Sequence, residues 1–260
     1  MPYLTFVSRD QTFYLYKGIG TEGQLLRETS QQDRLIDFCP GQQPILWLAS
    51  RRANSEQGAI RRLLLPDLAG EEMSWPGGRV GAIACAPDGE QALVLELPEH
   101  PAARPRLWWW ATQAWQVVEA TLTPDISSKL AWLDGTRVVF ESTDRALAVL
   151  DLSNGNVEVG PSGCCPVAAA AAHEWYALSG GAVSRFSFDP ALRRLPTLSE
   201  GLQFGRVSAL RVTSDGQVFT WVEARFHYRL RGFIQQRGQR QTHFPLIEHG
   251  LGAVLGPYTL

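Results

Sequence analysis

Gly81-Ala82-Ile83-Ala84-Cys85, the turn Pro87-Asp88-Gly89, Gln91-Ala92-Leu93-Val94-Leu95-Glu96, Arg106-Leu107-Trp108-Trp109-Trp110-Ala111 and finally Ala114–Glu119 form the stretch that decides the fold. Each run is short, apolar and rich in β-formers, and none has the length or caps of a helix. Asp-Gly between the first two runs signals a hairpin, because glycine reaches the positive φ that such turns require. The stretch therefore reads as four consecutive antiparallel strands, labelled A to D. The pattern recurs. Apolar runs equivalent to Leu93–Glu96 centre on residues 6, 48, 95, 140, 177 and 221. Two further units carry the A–B signal, Asp134-Gly135 and Asp215-Gly216. Thr136–Glu141, Ala146–Asp151 and Asn156–Val159 repeat the later strands, with Ser153-Asn154-Gly155 as their last turn.

Four antiparallel strands repeated at a period in the forties define propeller blades, and each sheet is then buried on both faces by its neighbours. That explains continuous apolar runs where a half-exposed sheet would alternate. The N-terminus begins at strand B with Tyr3–Ser8, and a matching strand A is found in Gly250–Leu255. The expectation is an all-β, six-bladed β-propeller with four antiparallel strands per blade. Pairing of the C-terminal strand with the N-terminal blade closes the ring. The whole chain, 1–260, reads as one domain. The blades are approximately 251–260 with 1–30, 31–76, 79–121, 128–161, 164–199 and 206–247. Ala168–Ala172 has helix-friendly composition, but its register makes it a strand A.

Ala86-Pro87-Asp88-Gly89-Glu90-Gln91-Ala92-Leu93-Val94 resembles the Pro-Asp-Gly turn and following strand of TolB-like repeats. The chain as a whole resembles the broad WD-type and TolB-like propeller group. The Gly-His and Trp-Asp dipeptides of WD repeats do not occur. The resemblance implies a binding platform, with some hydrolases and lactonases among propellers generally. No functional motif matches, so no site residue is carried over.

Composition narrows the function classes. Hydrophobic residues make up 45% of the chain and charged residues 19%, as in a globular domain. A net charge of -2 argues against bulk electrostatic binding to nucleic acid or to an anionic membrane. No apolar run is long enough for a membrane-spanning helix. The opening Met1–Phe6 lacks the pattern of a secretory leader, so a cytoplasmic, bacterial-type location is expected. On that basis Cys39, Cys85, Cys164 and Cys165 are expected to be reduced, and the adjacent Cys164 and Cys165 fit no paired zinc pattern. Lys17 and Lys129 are the only lysines, and arginine supplies the remaining basic residues.

Topology decides which loops share a face. The B–C turns and the D-to-next-A connections lie at one end of the sheets. The A–B and C–D turns lie at the other. Two B–C loops are long, Ser50–Ala59 and Leu97–Pro105, and they belong to adjacent blades. They bring Arg51, Arg52, Asn54, Glu56, Glu99, His100 and Arg104 to one rim. The D–A connections add Trp75, Asp125, Phe204, Glu248 and His249. Arginine, aromatic and carboxylate residues together are typical of a protein-binding surface, and variable loops on a rigid scaffold are where function concentrates. The sequence therefore reads as a non-catalytic interaction module, either an assembly scaffold or an antidote-type partner. Arg51, Arg52, Asn54, Glu56, Trp75, Glu99, His100, Arg104 and Phe204 are the candidate contacts.

The rival reading is a metal-dependent propeller hydrolase or lactonase, with Asp125, Glu248 and His249 at the channel mouth. No His-Glu-x-x-His, Gly-x-Ser-x-Gly or phosphate loop occurs. Gly18–Gly23 fits the Gly-x-Gly-x-x-Gly string but lies in a C–D turn with no helix after it. No cofactor or small-molecule ligand is called for. Trp108-Trp109-Trp110 is expected to be core, with Trp109 on one sheet face and its neighbours on the other. A sugar- or nucleic-acid-stacking role would need exposed rings. Arg225–Arg240, with five arginines and no acid, reads as an outer strand carrying charge against edge pairing. An acidic partner is the next reading.

Overall fold

The structure is a computed structural model of the 260-residue chain. It describes strands 3–7, 13–17, 24–29, 33–39, 45–51 and 58–64. Next come residues 67–86, 88–100 and 102–162. The remaining described strands are 167–171, 174–179, 182–187, 193–195, 206–212, 218–223, 230–235, 242–246 and 253–254.

The described strands pair in six four-stranded antiparallel sheets. Sheet I holds β1 (Tyr3–Val7), β2 (Phe13–Lys17) and β3 (Gln24–Thr29). Sheet II holds β4 (Asp33–Cys39), β5 (Ile45–Arg51), β6 (Gly58–Leu64) and β7 (Ala69–Met73). Sheet III holds β8 (Arg79–Cys85), β9 (Ala92–Leu97), β10 (Arg106–Ala111) and β11 (Ala114–Val118). Sheet IV is β12 (Ala131–Trp132), β13 (Arg137–Glu141), β14 (Ala146–Asp151) and β15 (Val157–Ser162). Sheet V is β16 (Val167–Ala171), β17 (Glu174–Ser179), β18 (Ala182–Ser187) and β19 (Arg193–Leu195). Sheet VI is β20 (Arg206–Val212), β21 (Val218–Glu223), β22 (Leu230–Gln235) and β23 (Thr242–Leu246). The last strand, β24 (Ala253–Val254), pairs antiparallel with β1 and supplies sheet I with its first strand.

The first strands of neighbouring sheets pack side by side: β4 on β8, β8 on β12, β12 on β16, β16 on β20 and β20 on β24. This is a β-propeller. No helix occurs among the described residues, and Ala168–Ala171 lies in a strand as its register required.

Packing follows the period-two alternation of each strand. Leu93 and Leu95 of β9 face sheet IV, where they meet Trp132, Val138, Phe140 and Leu150. Ala92 and Val94 face sheet II, where they meet Trp47 and Ile60. The triple tryptophan divides the same way. Trp109 packs with the III–IV cluster, and Trp108 and Trp110 pack with the II–III cluster. A third cluster joins Leu133, Val139 and Val149 of sheet IV to Trp175 and Phe186 of sheet V. Complete burial of an aromatic or aliphatic side chain contributes about 1.5–3 kcal/mol, so these interfaces hold sheets II to V together.

One hairpin turn forms as expected but differs in detail, and two further expectations are corrected. Asp88-Gly89 behaves as expected, with Gly89 at φ 79°. The Asp134-Gly135 turn works differently, because Gly135 is not among the positive-φ residues. Asp134 instead accepts hydrogen bonds from the amides of Thr136 (3.0 Å) and Arg137 (2.8 Å) and from Arg137 Nε (2.7 Å). Second, the described part of the Arg225–Arg240 stretch is not the outermost strand of its sheet. That part is β22, which pairs with both β21 and β23, and β23 is outermost. A third strand can carry arginines because a long stem packs while its charged head reaches solvent. Third, Cys85 is disulfide-bonded, so the four cysteines are not all reduced thiols.

Candidate functional site

The end of sheets II and III that carries the long loops is built from strand register. Arg51, the last residue of β5, pairs with Gly58, the first of β6, so residues 52–57 form the loop at that end. Met73 at the end of β7 pairs with Ile60, and Arg79 at the start of β8 pairs with Leu97. The link 74–78 therefore lies at the same end as loops 52–57 and 98–105. A backbone hydrogen bond from Gly58 N–H to the Gly78 carbonyl (3.2 Å) ties the first loop's base to the link.

The floor of this face is a polar knot within the apolar interface. Glu96 accepts hydrogen bonds from Gly78 N–H (2.6 Å) and from Trp108 Nε1 (2.6 Å). Trp75 donates its indole N–H to the Gly78 carbonyl at 2.8 Å and packs edge-on against Trp108 and Trp115. Gly77 permits this folded-back indole, because a Cβ there would sit 2.5 Å from the Trp75 ring. Trp75 is only 7% exposed, so it supports the link from below and is not presented to a partner. The sequence placed Trp75 at the correct end but could not show its inward rotation. Glu96 was missed altogether. Its signal was a lone carboxylate one residue before the end of an otherwise apolar strand.

Glu99, His100 and Arg104 are exposed on the 98–105 loop, which turns through a hydrogen bond from Ala103 N–H to the His100 carbonyl (2.9 Å). Glu99 lies beside the 74–78 link, with Oε1 3.7 Å from where a Gly78 Cβ would stand. The structure thus brings the backbone of Arg51, the Trp75–Gly78 link and the Glu99–Arg104 loop to one rim. Arg52, Asn54, Glu56, Phe204, Glu248 and His249 lie outside the described residues.

Asp125 sits further along the same end, in the connection from sheet III to sheet IV. Its amide donates to the Glu141 carbonyl (2.8 Å), and Thr143 N–H donates to the Thr123 carbonyl (3.1 Å). The Asp125 carboxylate accepts from the Ser127 hydroxyl (2.5 Å) and amide (2.8 Å). Those bonds hold its carboxyl below the usual range, with a smaller contribution from Arg145. Asp125 therefore acts as a turn former. Among the described residues, no group of three or more His, Cys, Asp or Glu side chains could hold a metal ion. Buried Glu141 beside it receives Arg145 Nη1 at 3.4 Å.

A second concavity was not foreseen. A half-open groove of about 910 Å³ lies between the outer parts of sheets II and III. Its walls include Arg62, Glu90, Gln91, Trp109, Trp110 and Gln113. Arg62 Nη2 pairs with both Glu90 oxygens (3.1 Å), while its Nε is buried without a hydrogen-bond partner. Gln91 accepts from Trp109 Nε1 at 3.0 Å. At the lip, Thr112 and Gln113 both hold left-handed backbone, at φ 51° and 60°. They are the two central residues of the β10–β11 hairpin, whose tight turn requires positive φ at both.

Structural comparison agrees with the propeller class. TolB from Acinetobacter baumannii matches with a TM-score of 0.67 and 14% identity, over 96% of this chain and 65% of that one. This chain thus spans somewhat less than two thirds of TolB. A functionally unknown protein from Desulfotomaculum acetoxidans DSM 771 matches with a TM-score of 0.57 and 14% identity, over 98% of this chain and 89% of that one. U3-55K matches with a TM-score of 0.56 and 14% identity, over 94% of this chain and 77% of that one. At that identity the likeness concerns the fold alone. No family model and no curated protein matches the sequence.

Proposed function

We propose that this propeller is a non-catalytic protein-interaction module, and that its partner docks on the long-loop end of sheets II and III. The observation that carries this reading is that the ends of β5 and β6 and the 98–105 loop meet at one braced link. Exposed Glu99, His100 and Arg104 stand over a floor fixed by Glu96, Trp75 and Trp108. A rigid floor under variable polar loops lowers the ordering cost of binding. Complex assembly and neutralisation of a partner, as by an antidote, are both served by such a face. The test is recovery of partners from the native host with the intact chain and with variants shortened within 51–57 or 99–104. Both shortened variants are expected to lose the partner while keeping their melting temperature. Unchanged recovery removes the site.

A second reading attaches to the groove. Arg62 and Glu90 neutralise each other, and the rest of the lining combines the Glu72 carboxylate and Met73 with amide, hydroxyl and indole groups. That chemistry suits an uncharged, hydroxyl-bearing ligand with an apolar C–H face, such as a short oligosaccharide. Titration with cellohexaose, maltohexaose and chitohexaose, read by tryptophan fluorescence, tests it. No response in the millimolar range removes it.

A further inference from the structure

We propose that the disulfide partner of Cys85 is Cys39, so that one covalent bond staples the innermost strands of sheets II and III. Besides Cys85, the chain has Cys39, Cys164 and Cys165. Cys39 is the last residue of β4, and Cys85 is the last residue of β8. β4 and β8 are the first strands of adjacent sheets, and they pack against each other. Cys39 pairs with Ile45 and Cys85 with Ala92, the residues that open β5 and β9. The two cysteines thus hold equivalent positions at the same end of neighbouring strands, which is the placement a short bridge between Cα atoms requires. Cys164 and Cys165 precede β16 in the chain; β16 neighbours β12, β13 and β20, and sheet IV lies between it and β8.

The bond has a chemical consequence. Two thiols lose two protons and two electrons, and a dithiol–disulfide oxidant accepts them as its own disulfide opens to two thiols. Such bonds persist in oxidising compartments. The staple therefore assigns the folded chain to one, in place of the cytoplasmic location expected from the sequence. It also encloses the segment carrying loop 52–57 and link 74–78, and so restrains sheet II against sheet III beneath the proposed face.

The experiment is peptide mapping without reduction, on protein whose free thiols are blocked with N-ethylmaleimide in the native host before lysis. Trypsin is expected to release residues 35–51 linked to residues 80–106, with Cys164 and Cys165 carrying the blocking group. A blocked Cys85, or Cys85 linked to Cys164 or Cys165, overturns the pairing. Linkage seen only when blocking follows lysis overturns the compartment. Melting temperatures give an independent measure. Cys39→Ala, Cys85→Ala and the double variant are expected to fall by the same amount, on the order of 10 °C, and to ignore added dithiothreitol. Additive losses in the double variant overturn the bond. A variant that fails to fold leaves the mapping of the natural chain as the deciding result.

Discussion

The two faces of sheet III solve the same packing problem differently. Toward sheet IV the interface is mostly aliphatic. Leu93, Leu95, Val138, Phe140 and Leu150 fill it, and its buried indole, Trp132, donates to the Ala84 carbonyl at 3.1 Å. Toward sheet II the interface is crowded with tryptophan: Trp47, Trp75, Trp108, Trp110 and Trp115. There Glu96 and the Gly78 carbonyl satisfy two indoles, while Trp47 and Trp115 keep buried N–H groups with no partner. Unmade hydrogen bonds of this kind cost about 1–3 kcal/mol each. The costlier interface is the one that carries both long loops and the groove. The comparison teaches that the III–IV seam supplies stability, while the II–III seam gives up some stability to shape two surfaces.

The largest expected break comes at the III–IV seam. Phe140→Ala should cost about 3–5 kcal/mol by chemical denaturation, because Phe140 is fully buried and the sheets can close only partly over the cavity. Partner recovery from the folded fraction should be unaffected. Glu96→Ala comes next, at about 2–3 kcal/mol, since both charge-assisted bonds are lost. This variant should also weaken partner recovery, because the 74–78 link loses its anchor. A loss of stability with unchanged recovery would separate the floor from the function.

Acid should act on the III–IV side, where turns rest on ionised aspartates. Hydrogen bonds from Ser153 hold the Asp151 carboxyl low, as those from Ser127 do for Asp125. At Asp134, burial pushes the carboxyl up, but the bonds from Thr136 and Arg137 outweigh it and the net shift is downward. A depressed folded pKa contributes stability that is fully present above the unfolded value, roughly 3.9, and is lost as pH falls through the folded one. Melting temperature should therefore decline below about pH 4, and Asp134→Asn should flatten that decline. A profile unchanged by the substitution would show that other carboxylates control acid unfolding. The smallest effect lies at the groove lip. Thr112→Gly should stabilise by about 1 kcal/mol, since a β-branched residue at positive φ is strained. It should leave partner recovery as it is.

Parts of this design were legible from the chain alone because they depend on local period. The recurring four-run unit and the strand that β24 supplies to sheet I could be read from spacing. The split of Trp108, Trp109 and Trp110 between two seams follows from strand alternation. The rim was legible only as a set of loops, since topology assigns ends but not side-chain direction. Trp75 shows the gap: its position was readable, its burial was not.

What the sequence by itself determined was the all-β propeller and the end at which its long loops gather. Alternation and turn chemistry are properties of neighbouring residues, and they survive without knowledge of the rest. What only the tertiary structure decided was the inward turn of Trp75, the anchoring role of Glu96, the interior place of β22 and the bonded state of Cys85. Each depends on what a different strand or sheet sets against the residue, and that partner is far away in the chain.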